Sequence, residues 1–287
     1  MTSIYRTKKR FSDMALYVLI YLSAAISVLL LLGILIYVFV KGIGSVNIEF
    51  LTSVTSVLNG TVGILGNIVN TLYIIILTIL IATPIGVGSA IYLNEYAKPG
   101  KLVRMIEFTT ETLAGIPSII FGLFGMVFFG TTCKLGYSIL TGCLTLSLMI
   151  LPLITRNTQE ALKTVPESYR SGALGIGATK WYMIRTILLP SAMPGIITGV
   201  ILAIGRIVGE SAALLFTAGS SPLLPRMGLL HKIVEPGGTL TIQLYLSMQK
   251  AEYQVAFGIA LVLLVIVLVI NLLTKALARK FDVSARK

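Results

Sequence analysis

The stretch VPESYRSGALGIGATKWYMIRTILLP (165–190) decides how this sequence is interpreted, because it is a polar insert in a strongly apolar chain. Pro166 favours the start of a short helix, since proline suits the first helical position. Gly175 and Gly177 then allow a sharp turn, and a second helical segment, ATKWYMIRTILL, leads to Pro190. The stretch therefore predicts two short helices joined by a turn at a membrane surface.

The glycines of this stretch resemble a nucleotide-binding loop without completing one. A Walker A loop places lysine directly after its last glycine, whereas Ala178 and Thr179 separate Gly177 from Lys180. The dinucleotide pattern G-x-G-x-x-G also fails, because Lys180 occupies the last glycine position. We therefore expect no nucleotide site in this chain.

Composition indicates an integral membrane protein. Hydrophobic residues make up 56% of the 287 positions, charged residues only 12%, and mean hydropathy is +0.93. A typical soluble domain has about a quarter charged residues, so this chain cannot cover a water-facing surface. The two cysteines, Cys133 and Cys143, are too few for a disulfide framework and are expected to be small apolar filling residues.

Six segments are long and apolar enough to cross a bilayer, which needs about 20 residues of helix. The predicted fold class is therefore an all-α polytopic membrane protein. Pro84 and Pro117 lie inside the second and third segments and predict kinks, and Pro152 lies near the end of the fourth. The segments are 14–40, 67–93, 108–130, 137–156, 192–217 and 254–276.

The placement of the basic residues predicts the orientation of these segments. Of the 23 Lys and Arg residues, seventeen lie in one set of loops and tails, five lie in the other, and Arg206 lies within a span. Cytoplasmic loops carry the excess of Lys and Arg, so both termini are expected in the cytoplasm. The net charge of +12 is thus a topology signal, and no nucleic-acid partner is expected.

This topology divides the chain into three parts. Residues 1–66 form a cytoplasmic tail, the first transmembrane helix and an outer loop. Residues 67–277 form a transmembrane domain of five helices, with a cytoplasmic loop at 157–191 and an outer loop at 218–253. Residues 278–287 form a cytoplasmic tail.

The cytoplasmic loop resembles the coupling loop of bacterial ABC importer permeases. The family motif is E-A-A, three residues, G, nine residues and I-x-L-P, and counting back from Pro190 places its glycine at Gly177. The glycine, the spacing and I-x-L-P match, while Ser171 replaces the leading Glu and Glu167 lies four residues earlier. The resemblance implies that the ATPase-coupling residues are Ser171, Gly172, Ala173, Gly177, Ile187, Leu189 and Pro190.

Four stretches are similar to the phosphate branch of that family, the PstA-like permeases. They are TPIGVGSAIYLNEYA (83–97), LAGIPSIIFGLFG (113–125), VPESYRSGALGIGATKW (165–181) and AIGRIVGESAAL (203–214). The resemblance implies a type I ABC importer permease fold in the prokaryotic cytoplasmic (inner) membrane. It also implies a second, PstC-like permease, two copies of a PstB-like ATPase and an extracytoplasmic PstS-like phosphate-binding protein. ATP and Mg would be used by the ATPase, and this chain would bind no cofactor or metal.

Two charged residues, Arg206 and Glu210, interrupt the fifth apolar segment. Four residues apart on a continuous helix, they would share one face, and each alone costs about 2.5–3.5 kcal/mol at mid-membrane on insertion scales. The pair is therefore expected either to lock helices together or to line the substrate path, where the fork of Arg206 suits a phosphate oxyanion. The family resemblance places the matching arginine on that path. Thr71, Ser118 and Ser211 are further candidates for its lining.

Other classes of protein remain as alternatives. An ABC permease for another oxyanion or small solute would share the same coupling loop. A secondary transporter would need coupling-ion residues and often repeated halves, and a membrane enzyme would need a His or Cys nucleophile or clustered carboxylates. The sequence offers a single intramembrane charge pair and one histidine, His231, which disfavours both of these.

Overall fold

The computed structural model describes residues 11–56, 61–98, 100–224 and 231–281. Parts of the predicted cytoplasmic tails, 1–10 and 282–287, lie outside the described residues. The helices are α1 Phe11–Gly42, α2 Ile48–Thr52, α3 Leu65–Ile91, α4 Lys101–Ala114, α5 Ser118–Gly125, α6 Ile139–Lys163, α7 Glu167–Gly175, α8 Lys180–Met183, α9 Leu189–Val208, α10 Ala212–Thr217, α11 Leu240–Gln249 and α12 Tyr253–Phe281. A two-stranded antiparallel hairpin pairs β1 (Val54–Ser56) with β2 (Thr61–Ile64).

Short turns of other helix types join these elements. Three π-helical turns continue α3, continue α5 and link α8 to α9, and two 3₁₀ turns lie in the outer connections. The π-helical turns are Tyr92–Tyr96, Met126–Thr132 and Ile184–Leu188, and the 3₁₀ turns are Ile43–Ser45 and His231–Val234.

The described residues contain five helices that are long and apolar enough to cross a membrane, and a bent pair raises the number to six if it counts as one span. The first, second and sixth predicted segments match α1, α3 and α12 closely. Pro84 lies inside α3, as predicted. The mainly helical, polytopic fold class is therefore confirmed.

The third predicted segment, 108–130, is wrong as a single kinked helix. The chain forms α4 and then α5, which meet at an angle of 103°. The break falls at Gly115 to Pro117, because proline disfavours helical backbone in the residue before it. α4 is amphipathic, and none of its side chains is fully buried in this chain.

The fourth and fifth predicted segments have different ends in the structure. α6 continues past Pro152 to Lys163, so the cytoplasmic loop is shorter than 157–191. The fifth span runs from Lys180 to Val208, so the predicted second surface helix is the first part of that span. A π-helical turn precedes Pro190, and its wider hydrogen-bonded ring accommodates a residue that lacks an N–H.

α3, α6 and α9 form the centre of the core. Their buried side chains include Ile74, Leu146, Ile150, Ile154 and Ala203. α3 and α6 approach closely at Gly86, where an added Cβ would lie 2.7 Å from Cγ2 of Ile154. Small residues allow such close approach between membrane helices.

The outer connection between α10 and α12 folds back onto the start of α3. Nδ2 of Asn67 donates to the carbonyl oxygen of Gly238 at 3.0 Å, and Nδ2 of Asn70 donates to that of Ser221 at 3.1 Å. Lys232 is buried, and its Nζ donates to the carbonyl oxygens of Leu223 and Pro236 at 2.9 and 3.2 Å. These contacts make the predicted outer loop a packed part of the domain.

The two cysteines have different environments. Cys143 is buried in the core, as expected of a small apolar residue, but Cys133 is exposed. Cys133 lies in the connection between the π-helical turn after α5 and the start of α6, where no helix covers it. The prediction of a filling residue is therefore wrong for Cys133.

Candidate functional site: the coupling loop and the end of the fifth span

The predicted coupling loop, here called the coupling loop, consists of α7, a tight turn and the start of the fifth span. Gly177 has φ +83°, a left-handed conformation that favours glycine. Its N–H donates to the carbonyl oxygen of Leu174 at 3.0 Å, and the N–H of Ala178 donates to that of Ala173 at 3.0 Å. Thr179 then starts the next helix by accepting from the N–H of Tyr182. The predicted first helix and turn are confirmed, whereas the predicted second surface helix is the start of the fifth span.

The predicted coupling residues divide into a buried side and an exposed side. Ala173 is buried, and Ile187 and Leu189 pack against the same apolar cluster as Leu188. Pro190 is partly buried. Ser171, Gly172 and Gly177 are exposed, and the hydroxyl of Ser171 donates to the carbonyl oxygen of Glu167 at 3.1 Å.

The exposed tip of the loop carries large apolar side chains that the motif did not identify. Ile176 is 87% exposed, and Trp181 is 58% exposed. Contiguous exposed apolar side chains often mark an interaction site. The signal in the sequence was available, since these residues interrupt a polar, glycine-rich stretch. The members of this apolar tip are Tyr169, Leu174, Ile176, Trp181 and Tyr182.

Arg170 joins the coupling loop to the end of the second span. Its Nη2 lies 3.0 Å from Oε1 of Glu95, on the π-helical turn that continues α3, and its Nη1 lies 3.2 Å from Oε2 of Glu167. Burial alone would lower the pKa of Arg170, but hydrogen bonds and charge from Glu95 and Glu167 raise it above its usual value. The guanidinium is therefore charged at physiological pH.

Arg206 and Glu210 do not form the predicted ion pair. α9 ends at Val208, so the two side chains do not lie one turn apart on a continuous helix. Oε1 of Glu210 instead accepts from the N–H of Ala213 at 3.0 Å. Among the described residues, no carboxylate oxygen lies within 4.0 Å of the Arg206 guanidinium, which is only partly buried.

The face of α9 beside Arg206 is open in this chain. No heavy atom lies within 4 Å of the position of an added Cβ at Gly205, and Leu202 is 52% exposed. Within the described part of the chain, no other helix therefore packs against Gly205. The open face leaves room for another subunit.

The other predicted path residues have different environments. Thr71 is buried. Its hydroxyl donates to the carbonyl oxygen of Asn67 at 2.7 Å and accepts from the N–H of Leu240 at 3.0 Å. It therefore holds α3 to α11 and does not line an open path. Ser118 and Ser211 are partly buried.

The fold and the exposed loop together define a polytopic membrane subunit of a transport system. Residues 82–286 match the family described as binding-protein-dependent transport system inner membrane component, and the chain belongs to this family. Members are membrane components of transport systems, so the chain is a transport subunit and not itself an enzyme.

Individual relatives and structures agree with this assignment. The chain is 36% identical over 265 residues to a probable ABC transporter permease protein, YqgI, of Bacillus subtilis, which covers 88% of this chain and 90% of that protein. It is 35% identical over 204 residues to the phosphate transport system permease protein PstA of Haemophilus influenzae, covering 71% and 72%. A crystal structure of a bacterial alginate ABC transporter aligns with TM-score 0.69 at 16% identity, covering 96% and 99% of the two chains, and shows the fold.

Proposed function

We propose that this chain is the membrane-spanning permease subunit of an ATP-driven importer of inorganic phosphate. The observation that carries the proposal is its similarity, over most of both chains, to proteins named as phosphate transport system permeases. The ABC permease fold and the exposed coupling loop support the same conclusion.

Arg206 is the residue that we assign to the anion. Its guanidinium presents a fork of N–H donors that fits a phosphate oxyanion. The absence of a carboxylate partner among the described residues leaves these donors available. Glu210 lies in the break between α9 and α10, where its carboxylate accepts from the N–H of Ala213, and we assign it no contact with the anion.

The coupling loop is the part that we assign to the ATPase. The apolar tip exposes five large apolar side chains, and exposed apolar side chains of this kind favour contact with a partner protein. Gly177 fixes the turn that presents this tip, while Ala173, Ile187 and Leu189 hold the loop to the core. Two ATPase copies would bind ATP and Mg, one copy on this chain and the other on a second permease.

The remaining partners follow from the surfaces left uncovered. A related second permease would pack on the open face of α9 beside Gly205 and complete the path. An extracytoplasmic phosphate-binding protein would dock on the packed outer connection that includes Lys232. In this proposal both termini would lie in the cytoplasm, as the basic residues predict, and the chain would lie in the inner membrane with α1 in contact with lipid.

Reconstitution tests the proposal. The complex that co-purifies with this chain in mild detergent is placed in liposomes with ATP inside and loaded binding protein outside, and uptake of radiolabelled phosphate is measured. We expect uptake to stop when a non-hydrolysable ATP analogue replaces ATP. Excess unlabelled phosphate should compete with the labelled phosphate, whereas excess sulfate or molybdate should not.

Three outcomes would contradict the proposal. ATP-dependent uptake of sulfate or molybdate in place of phosphate would keep the permease and change the cargo. Phosphate uptake driven by an ion gradient without ATP would indicate a secondary transporter. Purification without any ATPase subunit would remove the importer assignment.

A further inference from the structure

The end of the second span touches the coupling loop on both sides of its turn. Oε1 of Glu95 accepts from Nη2 and Nε of Arg170, at 3.0 and 3.3 Å, on the α7 side. Nζ of Lys180 lies 5.0 Å from the centre of the Tyr96 ring on the other side, within range of a cation–π interaction. Two adjacent residues thus contact the helices before and after the turn.

Arg170 joins four segments of the chain at one point, through two carboxylates and two backbone carbonyl oxygens. Besides Glu95, it donates to the carbonyl oxygen of Leu162 at 2.9 Å, to that of Val165 at 3.0 Å and to Glu167. These partners belong to the π-helical turn after α3, to α6, to the connector between α6 and α7, and to α7. A planar fork with five N–H donors can satisfy this set, whereas the ammonium of lysine cannot.

Burial makes the Glu95 contact different from the Glu167 contact. The side chains of Arg170 and Glu95 are 13% and 5% exposed, while that of Glu167 is 81% exposed. Exposed ion pairs contribute little, but removing one partner of a buried pair leaves the other charge stranded. Glu95 is therefore the partner that holds Arg170.

α7 has few apolar contacts of its own. Ala173 is the only buried side chain on this helix, and a methyl group buries little area. Polar contacts through Arg170 must therefore supply much of the attachment of α7 to the membrane domain.

We propose that Glu95 and Arg170 are positioning residues that make the coupling loop and the cytoplasmic end of α3 move as one body. Tyr96 supports them by holding Lys180. This inference rests on the proposed function. If the ATPase moves α7, the contact between Arg170 and Glu95 moves the end of the second span with it. Neither residue contacts the anion.

Distance measurements test the attachment without reference to the cargo. Spin labels are placed at Ser168→Cys on α7 and Lys98→Cys beyond α3, both exposed, in a Cys133→Ser background. We expect a narrow distance distribution in the complex with native Glu95 and with Glu167→Gln, which alters only the exposed partner. Glu95→Gln should broaden it.

Coupling is measured as ATP hydrolysed per phosphate imported by the reconstituted complex. Glu95→Gln should raise this ratio about fivefold or more, because coupling free energies between sites typically correspond to 5- to 150-fold effects. Glu167→Gln should stay within about twofold, as for other exposed pairs. Arg170→Lys keeps the charge but not the fork and should give an intermediate ratio.

In Glu95→Gln we expect the broader distance distribution and the higher ratio of ATP hydrolysed to phosphate imported to occur together. An unchanged distance distribution overturns the proposal. So does a constant ratio of ATP hydrolysed to phosphate imported, with both rates falling only as far as the abundance of the complex falls. If Glu95→Gln does not assemble, Tyr96→Leu replaces it, with Tyr96→Phe as the control that keeps the ring. If the native complex binds its ATPase but imports no phosphate, the proposed function fails and the distance measurement alone decides this inference.

Discussion

The carboxylate of Glu210 accepts a hydrogen bond from the N–H of Ala213 at 3.0 Å. The contact satisfies a free donor in the first turn of α10, just beyond the end of the fifth span. The carbonyl oxygen of Glu210 also accepts from the hydroxyl of Thr241 at 2.9 Å. Glu210 therefore organises the break between α9 and α10 and does not neutralise Arg206.

This contact predicts that Glu210→Ala and Glu210→Gln will differ in stability. The alanine variant loses the acceptor, and loss of a helix-capping side chain typically costs about 0.5–2 kcal/mol. The glutamine variant retains an acceptor oxygen and should remain close to the native chain. Thermal unfolding of the purified complex in detergent measures the difference. Equal loss of stability in both variants would mean that the negative charge of Glu210, and not its hydrogen bond to Ala213, stabilises the protein.

Arg206→Gln should abolish most phosphate uptake and leave assembly intact. Because the guanidinium has no carboxylate partner among the described residues, its removal strands no opposite charge. Hydrogen bonds to charged groups contribute about 1.5–3 kcal/mol, which corresponds to a loss of at least tenfold in uptake per assembled complex. Arg206→Lys keeps the charge without the fork and should retain part of the activity. Assembly is measured separately by co-purification, and full uptake by assembled Arg206→Gln complexes would exclude Arg206 from the path.

The spacing of Arg206 and Glu210 predicted an ion pair only on the assumption of a continuous helix. Hydropathy could not reveal the break, because the stretches before Arg206 and after Ser211 are both strongly apolar. Hydropathy also failed to separate α4 from α5, so the third span was predicted as one helix. Pro117 indicated a kink there but not its angle. Local signals succeeded where the cause is local, as with the helix start after Pro166 and the turn at Gly177. The contact between Arg170 and Glu95 joins residues 75 positions apart, and no local pattern indicates it.

Gly177→Val should weaken binding of the ATPase while leaving membrane insertion intact. The φ of +83° costs a non-glycine residue about 1–2 kcal/mol, and a β-branched side chain tolerates it least. The space around the residue is open, since no heavy atom lies within 4 Å of an added Cβ, so any effect comes from the backbone. Gly177→Asn is the matched control, because asparagine adopts this conformation more readily. ATPase retained in a pull-down, normalised to permease abundance, should fall in the order Gly, Asn, Val, and equal retention would contradict the role of the turn.

Gly86→Ala and Gly88→Ala should have opposite effects on stability. An added Cβ at Gly86 would lie 2.7 Å from Cγ2 of Ile154, whereas one at Gly88 would have no heavy atom within 4 Å. Overpacking a tight contact typically costs about 1–3 kcal/mol, while alanine in place of glycine in an open helix position favours the helix by up to about 1 kcal/mol. Both residues lie on α3, so the pair isolates packing from helix propensity. Melting temperatures in detergent measure the difference, and a stable Gly86→Ala variant would show that α6 can move away at no cost.

Single cysteines should report the orientation of the chain. Seventeen basic residues against five place the coupling loop in the cytoplasm, and the outer connection before α12 on the opposite side. Cys133 is exposed and is replaced by serine first, whereas Cys143 is buried and should stay silent. In protoplasts, an impermeant maleimide should label Lys250→Cys, which is exposed in the outer connection, but should label Ser168→Cys on α7 only after the membrane is permeabilised. Labelling of Ser168→Cys from outside would invert the topology, and with it the side on which an ATPase could reach the coupling loop.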